Sequence, residues 1–136
     1  MNELQMSIMH YVTYNALLII VAGTAIGLSR FFFVGAKKFT YDTLIPGQPH
    51  GPKWYANLNR VYINGIEAMA LFAPMALFHV LTSSHLDGIA KIACAFLIGR
   101  ILYSIIYLLG GYKIWCSFCW LIGFVATLIG WLLILV

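Results

Sequence analysis

Charge is what this sequence has least of. Only 9% of its 136 residues are charged, and four of those are acidic. A soluble domain of this size carries about a quarter. No charge falls between Glu3 and Arg30, and none follows Lys113. With 62% of its residues hydrophobic, the chain holds more apolar surface than a small soluble fold hides, so a lipid solvent is expected. The three cysteines do not make a disulfide framework. His10, His50, His79 and His85 have no helical i, i+4 pairing with one another, so no metal site is expected and they read as interfacial or loop residues. The N-terminus lacks the positive n-region of a cleaved signal peptide, so the first apolar segment is expected to be retained. The net charge of +4 does not point to nucleic acid, because the basic residues follow membrane topology instead.

What is present reads as four membrane spans, an all-α bundle in one domain covering 1–136. A span needs about 20 apolar residues. Helices are expected over about 8–30, 58–81, 89–109 and 112–135. Asn57 or Asn59 is positioned to cap the second, and Pro74 to kink it. Gly23 and Gly27 form a GxxxG pair, a close-packing signal in membranes that chance glycines can also produce. Between the first two spans lies a turn-rich loop with Pro46, Pro49, Pro52, Lys37, Lys38 and Lys53. The positive-inside rule puts this loop, with Lys113 of the last turn, in the cytoplasm and both termini in the periplasm or lumen. Trp54, Tyr55, Trp115, Trp120 and most other aromatics read as interface anchors.

Ionisable residues inside a span are costly and are functional candidates by default. Arg60, Asn64 and Glu67 fall at i, i+4 and i+7, one helical face. That face descends roughly 10 Å from the basic side at 1.5 Å per residue. Arg100, Tyr103 and Tyr107 fall at i, i+3 and i+7 on the third helix, which ends at the same side. Two guanidiniums, an amide, a carboxylate and two phenols suit a ligand with carboxylates, amides and an ammonium, a peptide better than a lipid. The plainer alternative is that Glu67 and Arg100 pair to hold the bundle together.

Arg60-Val-Tyr-Ile-Asn64-Gly-Ile-Glu67 resembles the R-x-x-x-N-x-x-E signature of the MAPEG family, membrane-associated proteins in eicosanoid and glutathione metabolism. Arg100-Ile-Leu-Tyr103-Ser-Ile-Ile-Tyr107 is similar to that family's helix-three pattern. The resemblance covers nearly the whole chain. It implies a homotrimer of four-helix bundles, with glutathione as co-substrate between subunits on the cytoplasmic side. Arg60, Asn64, Glu67, Tyr103 and Tyr107 would be its ligands, and Lys37 or Lys38 would contact a carboxylate. The chemistry implied is glutathione conjugation or reduction of lipid hydroperoxides, with an apolar second substrate from the bilayer. The chain departs from the best-studied branch twice. Ile114 stands where an arginine stabilises the thiolate, and Ala68 stands where a tyrosine follows the glutamate. Arg100 or Lys113 would have to supply the catalytic cation.

Other readings stay open. Cys116-Ser-Phe-Cys119 is a C-x-x-C, as in four-helix membrane thiol oxidoreductases, although the expected orientation puts it on the reducing side. Cys94 lies near the opposite end of helix three. A small multidrug transporter also carries a membrane glutamate, but there the carboxylate stands alone, whereas Glu67 shares its face with Arg60 and Asn64. A family member that has kept the fold and lost catalysis is the remaining alternative.

Overall fold

Asn2 and Gln5 set the start of the first helix. The Asn2 N–H donates to Gln5 Oε1 and the Gln5 N–H donates to Asn2 Oδ1, both at 2.8 Å. This reciprocal box satisfies donors that a helix end otherwise leaves bare, so the helix begins at Glu3 rather than near Ile8. The computed structural model describes residues 2–29, 53–110 and 113–135. They form α1 (Glu3–Ser29), α2 (Lys53–Thr82), α3 (Leu86–Leu108) and α4 (Lys113–Leu132).

The second and third helices also begin earlier than the sequence suggests. Asn57 and Asn59 lie inside α2 and cap nothing, because α2 starts at Lys53, directly after Pro52 in sequence. α3 starts at Leu86, which puts Asp87 in its first turn. There a carboxylate complements the helix dipole, and Asp87 also holds Lys91 at 2.6 Å in an exposed i, i+4 pair.

All four helices are long and apolar enough to cross a bilayer, with 27, 29, 23 and 19 residues in the candidate spans. Large apolar side chains face outward along each of them; Val21, Leu71, Ile98 and Leu132 are all exposed. In water such a surface would aggregate; in hydrocarbon it costs nothing. The protein is an integral, multi-pass membrane protein.

α3 packs against the other three helices, whereas α4 touches α3 and α2 but not α1. The innermost layer is built on a parallel Phe72–Phe96 stack, with centroids 3.9 Å apart, surrounded by Ile8, Met75, Ile89 and Ala93. Close approach depends on glycine at α3·α4, where a Cβ on Gly99 would lie 3.1 Å from the Cys119 carbonyl oxygen. The Gly23–Gly27 pair divides: a Cβ on Gly23 would come 2.8 Å from the Tyr62 ring, while Gly27 has nothing within 4 Å. Gly99→Ala is therefore expected to lower the thermal midpoint in detergent, a loss of about 1–3 kcal/mol from overpacking against backbone. Gly27→Ala should leave the midpoint unchanged or raise it, since alanine is the better helix former by about 1 kcal/mol. Equal effects at the two sites would contradict this reading of the packing.

The two ends of the bundle are fastened differently. At one end, Gln5 Nε2 reaches the Val80 carbonyl (2.9 Å) and Ser83 Oγ (3.0 Å). His79, fully buried, sits there with Nε2 against the Gly130 carbonyl (3.0 Å) and Nδ1 against Ser84 Oγ (2.9 Å). It lies in the last turn of α2 rather than in a loop. Trp131 Nε1 donates to the Leu71 carbonyl at 3.1 Å. That bond falls in the turn where Pro74 removes a backbone donor, so the indole reinforces the proline-weakened stretch of α2. α2 and α4 are thus stapled at the His79 end. At the other end, where α2 and α4 begin and α3 finishes, lie the polar stripes.

Candidate functional site

The two stripes meet. Arg60 Nη1 donates to Tyr107 Oη at 3.1 Å, and Arg100 Nη1 donates to Asn64 Oδ1 at 2.5 Å. Each bond joins α2 to α3, so the i, i+4, i+7 face and the i, i+3, i+7 face are turned toward each other along their length. The Tyr103 ring lies under the Arg100 guanidinium, 5.0 Å from Cζ to centroid, and 5.4 Å from the Tyr107 ring. Arg60 is exposed at the mouth, while Arg100 is 4% exposed.

Arg100 is the electrostatic centre of this arrangement. It lies three residues beyond Leu97, the midpoint of α3, and so within about 5 Å of mid-span. A guanidinium at that depth needs partners. What the protein gives it is a neutral amide and an aromatic face. Glu67 does not pair with it; among the described residues the one salt bridge is Asp87–Lys91. The idea that Glu67 and Arg100 close an ion pair to hold the bundle is not what the molecule does. Instead the two charges line one cavity of about 140 Å³, together with Asn64, Ala68, Trp120, Phe124 and Thr127. A second, wider groove of about 520 Å³ is lined by Tyr103, Tyr107, Cys116, Ser117, Trp120 and Leu121. Trp120 borders both. The inner cavity alone falls short of the roughly 300–1,000 Å³ of ordinary ligand sites, whereas the outer groove falls within that range.

The result is a polar wall from α2 and α3 facing an aromatic wall from α4, where Trp120 stacks on Phe124 at 5.2 Å. Trp120, one of the aromatics that read as interface anchors, is also a wall of both cavities. Such a groove can hold a small hydrophilic anion against one side and an apolar molecule against the other.

Lys37 and Lys38 lie outside the described residues. Lys113 opens α4, but of its side chain nothing is described. Ile114, at the position of the family's thiolate arginine, is 62% exposed. Ala68 leaves open space at the inner cavity where a tyrosine would have filled it. One polar residue was missed by sequence reasoning. Asn15 of α1 is 2% exposed, donates Nδ2 to the Tyr11 carbonyl at 2.9 Å, and lines a small cleft with Gly65, Arg100 and Ser104. Its signal was a lone amide in a charge-free span.

The fold and the groove define a four-span membrane protein with a polar site between α2 and α3. The MAPEG family model matches residues 8–136, nearly the whole chain, and the protein belongs to the MAPEG family. Membership places it among membrane proteins of glutathione and eicosanoid metabolism, a family with both transferases and non-catalytic members. Searches of curated proteins and of solved structures give no match.

Proposed function

We propose that this protein binds glutathione in the α2–α3 groove and uses its thiolate against an apolar electrophile or hydroperoxide delivered by the bilayer. The observation that carries the reading is Arg100: a buried guanidinium with no carboxylate partner among the described residues, opening on a cavity. Such a group is stable when its ligand brings the missing negative charge. From Arg60 to Glu67 the polar stripe runs roughly 10 Å, about the reach of three extended residues. Family membership supports a glutathione ligand.

In this reading Arg60 takes a carboxylate at the mouth, Asn64 a peptide amide, and Glu67 the ammonium. Arg100 and the Tyr103 and Tyr107 hydroxyls hold the thiolate. A free thiol, of pKa about 8.5, is mostly protonated at neutral pH; each unit by which a cation lowers it corresponds to about 1.36 kcal/mol. Lys113, at the head of α4, and Lys37 or Lys38 are further cations available to a carboxylate. The Trp120–Phe124 wall receives the second substrate. The family's trimer would place this groove against a neighbouring subunit, with the basic loops and the site in the cytoplasm and both termini across the membrane.

Calorimetry with glutathione in detergent tests this directly. Saturable binding is expected for the native chain, weakened at least tenfold in Arg60→Ala and Glu67→Gln. No binding by the native chain would end the assignment. Binding without turnover of a model aryl halide or cumene hydroperoxide would identify a family member that holds glutathione without using it.

A further inference from the structure

One thiol, Cys116, lines the outer groove and a second, Cys119, is buried behind it; the proposed function uses neither. Cys116 and Cys119 are both free and buried, and they pack in one cluster with Val61 and Tyr103. Cys116 lines the groove beside Tyr103 and Tyr107. The pair sits at i, i+3 in the first two turns of α4, which begins at Lys113. Residues so spaced stand about 5–6 Å apart at Cβ. A disulfide requires Cα atoms about 4.4–6.8 Å apart and Cβ atoms about 3.5–4.5 Å apart, so closure asks for a small adjustment. The first turn of a helix is where the backbone is freest to make it, because its N–H groups have no intrahelical partners. Cys94, by contrast, sits on α3 beside Tyr11, outside the groove.

We propose that Cys116 and Cys119 form a redox-active dithiol that exchanges with glutathione disulfide in the groove. The identity of the exchanging disulfide rests on the glutathione reading above. Cys116, which reaches the groove, is the attacking sulfur, and Cys119, one turn deeper, resolves. The Cys116 thiolate attacks one sulfur of glutathione disulfide. A mixed disulfide forms on Cys116, and one glutathione leaves as a thiolate that takes up the proton Cys116 lost. The Cys119 thiolate then attacks Cys116 Sγ, the internal disulfide closes, and the second glutathione leaves with the Cys119 proton. Two protein thiols are oxidised and one glutathione disulfide becomes two glutathiones. Excess glutathione drives the same steps backwards, so the pair follows the local thiol–disulfide balance. Reduction of a hydroperoxide by two glutathiones yields glutathione disulfide at this same place, which gives the dithiol a substrate without a separate delivery route.

The test uses the full chain in detergent, equilibrated over a series of glutathione to glutathione disulfide ratios, quenched with acid, alkylated and read by mass spectrometry. The peptide spanning 116–119 is expected to lose two hydrogens as the disulfide fraction rises. Cys119→Ser should instead accumulate one glutathionyl group on Cys116, with Cys94 still open to alkylation. Hydroxyethyl disulfide serves as a second oxidant, and calorimetry reports glutathione binding on the same samples. A chain that binds glutathione yet keeps both thiols reduced under excess disulfide overturns the dithiol and leaves the binding reading intact. Adduct formation on Cys94 as readily as on Cys116 also overturns it. Closure by hydroxyethyl disulfide with no response to glutathione disulfide and no heat of glutathione binding overturns the glutathione partner instead.

Discussion

Arg100→Met is expected to hold or raise the thermal midpoint while weakening glutathione binding from about 30-fold to several thousand-fold. The range converts the roughly 2–5 kcal/mol lost when one member of a buried charge pair is truncated. The direction of the stability effect separates a binding residue from a structural one. Were Arg100 paired with Glu67, removing it would strand a carboxylate and cost about 3–5 kcal/mol, and Glu67→Gln would partly restore the double variant. Among the described residues Arg100 has the Asn64 amide and the Tyr103 ring to lose. The lost charge-assisted hydrogen bond is worth roughly 1.5–3 kcal/mol. Against it stands the cost of a guanidinium near mid-span, roughly 2.5–3.5 kcal/mol on insertion scales. The two terms nearly cancel, so the midpoint holds. Thermal unfolding in detergent and calorimetry on the same preparation decide the matter: a large drop in midpoint with unchanged affinity would make Arg100 a strut and remove the main support for an anionic ligand.

How the stripes would face each other was legible in the sequence; which residue would hold which was not. Helical spacing alone puts Arg60, Asn64 and Glu67 on one line, and Arg100, Tyr103 and Tyr107 on another. Partner choice depends on the relative rotation and stagger of α2 and α3, which no spacing rule contains. The result is Arg60 with Tyr107 and Arg100 with Asn64, leaving Glu67 free to face the cavity. The spans were readable as gaps between charges. The start of α1 was not, because the reciprocal Asn2–Gln5 bonds decide it within a few residues. Asn15 is missed and the role of His79 is misjudged for a different reason. A single polar residue in an apolar helix has no periodicity, and its partners, here Tyr11 backbone and the distant Gly130, appear only once the chain is folded.

His79 gives the second large effect, and it acts on stability without touching the groove. α4 ends near Leu132, so the Gly130 carbonyl belongs to the last turn, where helical acceptors run out of donors. Ile134 N–H bonds the Trp131 carbonyl at 3.2 Å, and Gly130 is served by His79 Nε2. Because a carbonyl can only accept, Nε2 carries a proton. Nδ1 meets Ser84 Oγ, which ties the 82–85 turn to the same ring. His79→Ala removes the buried bond to Gly130 and the part-buried contacts to Ser84, leaves an acceptor stranded in an apolar setting, and opens a ring-sized void. Together these are expected to cost about 3–5 kcal/mol. His79→Gln, whose amide can still donate to Gly130, should cost about half. His79 is twelve residues from Glu67, roughly 18 Å along α2. Glutathione affinity should therefore stay within about twofold of native wherever the variant remains folded, since sites that far apart with no shared partner behave independently. A midpoint unmoved by His79→Ala would show that α2 and α4 are not stapled at this end. A parallel loss of affinity would show that the staple sets the width of the groove at the other.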